Sequence, residues 1–299
     1  MAVRRVLVTG AGGFIGRHVT AGWPPDWEVV ALSRQAIEPG PGRHPVILPA
    51  SDGPLPAELE DPFDAVVHLA GSADHGLAVR EPWADIQATG VTSAAILGRI
   101  AARRLVVLSS AAVYAGREGL VDPGASVEPA MAYALSKRYV EGLARALVAG
   151  GRFESALVLR LYNAFGPGER PTRLIPRVAR SLLDGRPFEL SGAPDSLADP
   201  IHVDDVVRYL VAAAVGTRDG TVDVCGGDPM ELQAAVGVIA TALGYAPPEI
   251  LARPDPSQVP IRFWSDMSPT LLALGVPAPE PFRAAVRRYG ADEGWLAPA

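Results

Sequence analysis

The chain of 299 residues has one cysteine, Cys225, so no disulfide within the chain can brace it. The apolar setting of that thiol in "VDVCGGDP" reads as packing, and no chemistry is assigned to it. Also missing is any apolar run of the roughly 18 to 20 residues that a membrane-spanning helix needs, so no membrane partner is expected. The start, "MAVRRVLVTG", turns into a strand and a glycine loop where a secretory signal would need an apolar core, which points to the cytoplasm. Basic charge is not in excess: 27 Lys and Arg stand against 33 Asp and Glu, a formal net charge of -6. Nucleic acid is therefore not an expected partner, and a phosphate-bearing ligand has to be met by local arginines or helix N-termini. No internal repeat, long charge block or metal-ligating cluster is read in the sequence.

At 48% hydrophobic and 20% charged, the composition is that of an ordinary globular protein. Short β-rich runs recur at 6–9, 28–33, 65–70, 105–109 and 156–161, with helix-compatible stretches between several of them. This rhythm predicts an α/β fold, a doubly wound parallel sheet. Residues 87–102 and 133–148, rich in Ala and Leu, suit covering helices, and 46–48 is the predicted third strand within a Pro- and Gly-rich stretch. After Gly166 the rhythm loosens and prolines and glycines crowd 166–200 and 247–281. The expected division is a dinucleotide-binding domain of 1–165 plus 199–228 and a smaller C-terminal α/β substrate lobe of 166–198 plus 229–299.

"TGAGGFIG" follows the first strand at once and opens a helix, with Gly10, Gly13 and Gly16 in the spacing G-x-x-G-x-x-G. Glycines there permit a tight turn and close backbone approach to a pyrophosphate at a helix N-terminus. Gly10, Gly12, Gly13, Phe14, Ile15 and Gly16 are the candidate cofactor contacts of this loop. In such folds an acidic residue about 20 positions on binds the ribose 2′-hydroxyl of NAD, whereas an arginine accommodates the 2′-phosphate of NADP. Here the second strand ends "VVALSRQ", and Ser33 and Arg34 stand where the acid would be, so NADP(H) is expected over NAD(H).

"AYALSKRYVEG" carries Tyr133 and Lys137 four residues apart, on one face of the predicted helix. A phenol titrates near 10, and a neighbouring ammonium favours its ionised form, which gives the lysine a reason to be there. Taken alone the pair reads as solvated; with a glycine loop upstream and a strand-end serine between, it reads as an acid–base site.

Together "TGAGGFIG", "VVHLAG", "LSSAAVYA", "YALSK", "LRLYNAFGPGER" and "DPIHVDDV" resemble, in order and approximate spacing, the extended short-chain dehydrogenase/reductase family of nucleotide-sugar epimerases, dehydratases and ketoreductases. The resemblance implies a Rossmann fold and a catalytic triad. Ser110 would hydrogen-bond the substrate oxygen, Tyr133 would pass the proton, and Lys137 would hold the nicotinamide ribose and tune Tyr133. Ser109 becomes a neighbour with a structural or cofactor-contacting hydroxyl. His68 packs beside the cofactor, and Leu69, Ala70 and Gly71 join the cofactor contacts. Asn163 matches the family's substrate-contacting asparagine. Arg170, Arg173 and Arg177 form a basic cluster that could meet a diphosphate, with Arg173 the expected contact. Arg262 lies near the position of a second diphosphate arginine. Where the family's nucleotide-sugar epimerases usually have a diphosphate-binding Arg, this chain has Ala198, which weakens the match to a nucleotide sugar.

Dehydratases of the family place an acidic pair directly after the triad hydroxyl, because eliminating a hydroxyl needs an acid and a base. Ala111 and Ala112 occupy those positions. The expectation is therefore an NADPH-dependent ketoreductase acting on C4 of a nucleotide-linked 4-keto-6-deoxyhexose. The alternatives are an NAD-retaining nucleotide-sugar 4-epimerase and, in another class, a non-catalytic NADP-sensing binding protein. The two predicted helices resemble those that pair in the family's homodimers, so a homodimer is expected.

Overall fold

Seven parallel strands form the central sheet of the computed structural model, which describes residues 4–40, 42–49, 53–129, 131–253 and 260–298. In chain order they are β1 (Arg4–Thr9), β2 (Trp27–Ser33), β3 (Arg43–Ile47), β4 (Phe63–His68), β5 (Ala102–Ser110), Phe153–Leu161 and Gly220–Val224. Across the sheet the order is Gly220–Val224, Phe153–Leu161, β5, β4, β1, β2, β3. The chain moves to one side of β1 for β2 and β3 and to the other for β4. The C-terminal ends of β1 and β4 therefore flank the switch point, the crevice in which such sheets take ligands.

The strands read as unbroken apolar runs because helices cover both faces. Val6 and Val8 of β1 join one buried layer with Val29, Val206 and Leu210, while Leu7 between them joins the other with Val30, Leu105 and Val140. Each such side chain contributes about 1.5–3 kcal/mol on burial. The helix expected at 133–148 spans Ala132–Ala149 and packs against β5.

Two boundaries differ from expectation. The third strand is β3, Arg43–Ile47, and contains Pro45; an outermost strand tolerates a residue without an N–H. The helix expected at 87–102 starts earlier, with Pro82 in its first turn, runs through a π turn at Gln87–Val91 and ends at Leu97. β5 then begins at Ala102. Arg104 in this strand is charged, yet its side chain is buried, donating to the Ala213 carbonyl (3.0 Å), Ser155 Oγ (3.1 Å) and Asp219 Oδ1 (3.0 Å).

A further apolar cluster lies outside the sheet layers, built from helices Leu174–Leu183, Leu232–Leu243 and Phe282–Asp292 around Phe165, Val178, Ile239, Val286 and Tyr289. Ser268–Leu274, grouped by sequence with this lobe, packs instead through Leu271 and Leu274 on the sheet-side cluster. Among the described residues no helix is long and apolar enough to cross a membrane.

Candidate active site

The glycine loop joins β1 to helix α1 (Phe14–Ala21). Gly10 has φ 71°, and a Cβ there would stand 2.8 Å from the Ala70 backbone nitrogen; a Cβ on Gly16 would stand 2.2 Å from the Gly10 carbonyl oxygen. Backbone alone fits this crossing. α1 begins after Gly13 with no side chain capping it, and Gly12 and Gly13 are exposed, so its first N–H groups are available to an anion. The residues present thus fit a dinucleotide pyrophosphate.

Leu69 and Ala70 are tied to this loop by a chain of hydrogen bonds. The Ser93 hydroxyl donates to the Thr89 carbonyl (2.5 Å), and burial, reinforced by Lys137, keeps His68 neutral with its pKa down at about 3. His68 therefore donates through Nε2 to Ser93 Oγ (2.8 Å) and accepts at Nδ1 from Thr9 (2.8 Å). Thr9 Oγ1 in turn accepts from the N–H groups of Leu69 and Ala70, both at 3.2 Å. His68 is a tie between strands.

At the end of β2 the Ser33 hydroxyl donates to the Gln35 carbonyl, and Ser33 borders Gly12. Arg34, next in the chain after Ser33, is exposed and forms no hydrogen bond or ion pair among the described residues. Phe14 meets His18 edge to face at 5.6 Å, and Ile15 packs on the sheet-side cluster.

Ser109 and Ser110 end β5 and point to opposite faces. Ser109 donates to Glu141 Oε1 at 2.7 Å and so faces the helix interior. Ser110 Oγ accepts from the Ala112 N–H at 3.2 Å, capping the turn Ala111–Tyr114, which leaves its own proton free to donate. Helix Ala132–Ala149 packs on β5 and this turn and supplies Tyr133 and Lys137, both buried at 7% and 8% exposure. Lys137 Nζ lies 5.7 Å from the Tyr133 ring centroid and 3.3 Å from where a Cβ of residue 71 would stand. That buried ammonium has no hydrogen-bond partner among the described residues, which suits a ribose diol.

A cavity of about 220 Å³ brings Asn163, Glu169, Arg173 and Ala198 together with Phe165, Leu174 and other apolar side chains. Asn163 Oδ1 accepts from the Asp199 N–H at 3.2 Å, leaving its amide donors free. Arg262 is not among the cavity's lining: it forms an exposed ion pair with Asp195 at 2.8 Å. Arg177 donates to the Glu189 carbonyl at 2.5 Å, and Arg170 faces Asp74 at 3.9 Å. The loop before the cavity is held from the cofactor side, since Arg17 donates to the Gly168 carbonyl (2.5 Å) and His18 to that of Pro167 (2.9 Å).

Three features escape the sequence reading. Glu169 lines the cavity with Oε1 buried and unpartnered, and burial, against the pull of Arg173, pushes its carboxyl up to about 7. His75 stacks on Tyr133 with ring centroids 4.1 Å apart and an interplanar angle of 28°. Glu141 and Arg160 form a buried bidentate pair at 2.9 and 2.8 Å behind Ser109. The only sequence signal for any of these is Asp74, whose side chain accepts from the Leu77 N–H (2.9 Å) and starts helix α2 (His75–Arg80) at His75.

A model of the NAD dependent epimerase/dehydratase family matches residues 6–224. GDP-6-deoxy-D-mannose reductase of Pseudomonas aeruginosa is 29% identical over 258 residues, covering 79% of this chain and 79% of that protein. UDP-glucose 4-epimerase of Azospirillum brasilense is 32% identical over 250 residues, covering 72% and 70%. Among solved structures, MoeE5 in complex with UDP-glucose and NAD superposes with a TM-score of 0.85 at 26% identity, covering 97% of this chain and 98% of that one.

Proposed function

The chain belongs to the NAD dependent epimerase/dehydratase family, a family of enzymes, and within it we propose an NADPH-dependent ketoreductase that reduces C4 of a nucleotide-linked 4-keto-6-deoxyhexose. What supports this reading is that Ser110 ends β5 and that the helix packed on β5 and on the turn after it carries Tyr133 and Lys137, with Ala111 and Ala112 where a dehydratase needs an acid and a base. A bound nicotinamide dinucleotide would supply the hydride. Ser110, its proton free, donates a hydrogen bond to the carbonyl oxygen. Tyr133 delivers the proton to that oxygen, and Lys137 holds the ribose and offsets the charge left on the phenol. Arg34, unpaired among the described residues and next to Ser33, which borders Gly12, supports NADP(H) over NAD(H).

The cofactor takes 1–165 plus 199–228, and the substrate takes 166–198 plus 229–299, without helix Ser268–Leu274. In the cavity, Asn163 and Arg173 are the contacts for a diphosphate-linked sugar. Ala198 removes one charged hydrogen bond, worth about 1.5–3 kcal/mol, which weakens nucleotide binding roughly ten- to a hundredfold without abolishing it. A nucleoside diphosphate is therefore expected to compete with substrate at micromolar to millimolar levels. The deciding assay offers GDP- and dTDP-linked 4-keto-6-deoxyhexoses with NADPH or NADH; reduction with a clear preference for NADPH supports the reading.

A second reading, an NAD-retaining 4-epimerase, is favoured by the likeness to a structure holding UDP-glucose and NAD. Purified protein carrying bound, non-exchanging NAD would select it.

The protein is also proposed to be a homodimer. Val91 and Tyr139 are exposed apolar residues beside a groove of about 570 Å³ lined also by Ile86, Gly90, Ala94 and Ala95. A second copy would cover it, and a monomeric mass in sedimentation at micromolar concentration would contradict this.

A further inference from the structure

His75 is the first residue of α2, and Asp74 caps the turn that sets it there. Its ring lies against the Tyr133 phenol, 4.1 Å between centroids and 28° from parallel, yet the residue stays open to solvent. A stacked ring needs no polar atoms to do this, and an aromatic hydrocarbon would pack as well. Neither ring nitrogen of His75 has a hydrogen-bond partner among the described residues. Around the ring stand Asp74 at the helix cap, Asp85 of the next helix, Lys137 and Tyr133 of helix Ala132–Ala149, and Arg173 from the cavity. Packing of the ring against Tyr133, with the two cations Arg173 and Lys137, outweighs the two carboxylates and holds the imidazole below its ordinary value; the neutral ring has one donor and one acceptor.

These features place an unclaimed donor–acceptor pair on the ring stacked against the Tyr133 phenol, within the electrostatic reach of Arg173. We infer that His75 is a substrate-binding residue whose imidazole hydrogen-bonds a sugar hydroxyl next to the reacting carbon, and that the site thereby favours an α-hydroxy ketone over a simple one. The inference rests on the nucleotide-sugar reading above. A plain ketone leaves the imidazole edge to water, whereas a sugar carrying a vicinal hydroxyl satisfies it while its carbonyl faces Ser110 and Tyr133. His75 neither gives nor takes the reacting proton.

The test separates the sugar contribution from the nucleotide contribution. Calorimetric affinities of GDP, dTDP and UDP, and of GDP-mannose, dTDP-glucose and UDP-glucose, are measured with NADP⁺ present for the wild type, His75→Phe and His75→Asn. The phenylalanine keeps the stacking and loses both polar atoms. The wild type is expected to bind a hexose conjugate more tightly than its diphosphate. His75→Phe is expected to lose about three- to tenfold on the conjugate, the scale of one neutral hydrogen bond, with affinity for the diphosphate and NADP⁺ unchanged. His75→Asn, which restores a donor and an acceptor, is expected to recover part of that loss. Unchanged conjugate affinity in His75→Phe would overturn the inference, as would a wild type that gains nothing from the hexose while binding the diphosphate. If the wild type binds no diphosphate and no conjugate, the nucleotide-sugar reading itself falls and takes the inference with it.

Discussion

Ser109 and Ser110 are neighbours on one strand, and the regions they face are opposites. Behind Ser109 lies a closed set of polar groups. Glu141 receives Ser109 and both arms of Arg160, while Arg160 also donates to the Tyr114 hydroxyl at 2.8 Å. Tyr114 and Ser265 donate to Asp223 at 2.9 and 2.6 Å. In front, on the Ser110 side, the Lys137 ammonium and both His75 nitrogens lack partners among the described residues, and Ser110 keeps a proton to give. Buried polar groups that are paired hold a fold together, whereas groups left unpaired beside a cleft await a ligand. The two regions share helix Ala132–Ala149, with Tyr133 and Lys137 serving one and Glu141 the other.

The largest expected effect sits on the open side. Tyr133→Phe should lower turnover by about 10² or more, the scale of general acid catalysis, with melting temperature and NADPH affinity unchanged in calorimetry. On the closed side the pattern reverses. Glu141→Gln leaves Arg160 without its counter-charge in the interior and should cost about 3–5 kcal/mol in a denaturant titration. A Glu141→Gln protein of full stability would break the comparison. Next comes Arg34→Ala, expected to weaken NADPH by about 1.5–3 kcal/mol while leaving NADH nearly unchanged; equal wild-type affinities for the two cofactors would refute the NADPH assignment.

The smallest effect concerns Glu169, which belongs to neither region cleanly. Its folded pKa of about 7 is raised above the 4.5 of a free glutamate, so the folded state holds a proton that the unfolded chain has released. Its contribution is fully present below pH 4.5 and is lost as pH rises to about 7. Glu169→Gln removes that slope and should stabilise the protein above neutrality, on the order of 1 kcal/mol after allowance for its partial exposure, with little change at pH 4. Melting curves at both pH values check it.

What the sequence made legible follows from the range of the interactions. Six of the seven sheet strands were readable because their apolar runs are local, whereas Gly220–Val224 was not singled out, and Tyr133 and Lys137 were readable because one helix turn fixes their spacing. Asn163, Arg173 and Ala198 were singled out separately, and one cavity gathers them. Arg104 and Arg160 were unreadable as interior residues, since their partners lie far away in sequence: Ala213, Asp219, Glu141 and Tyr114. His75 was missed for the same reason. Its neighbour Tyr133 is 58 positions away, and no local pattern announces a stack.

Net hydride transfer assisted by Tyr133 is the proposal's core. The most direct measurement mixes the enzyme and stoichiometric NADPH with a GDP- or dTDP-linked 4-keto-6-deoxyhexose and follows the absorbance of the reduced nicotinamide through one turnover. The account requires one NADPH consumed per sugar reduced in the wild type and a rate at least about a hundredfold lower in Tyr133→Phe. Sugar epimerised with no net loss of NADPH, or reduction at the wild-type rate by Tyr133→Phe, would contradict it.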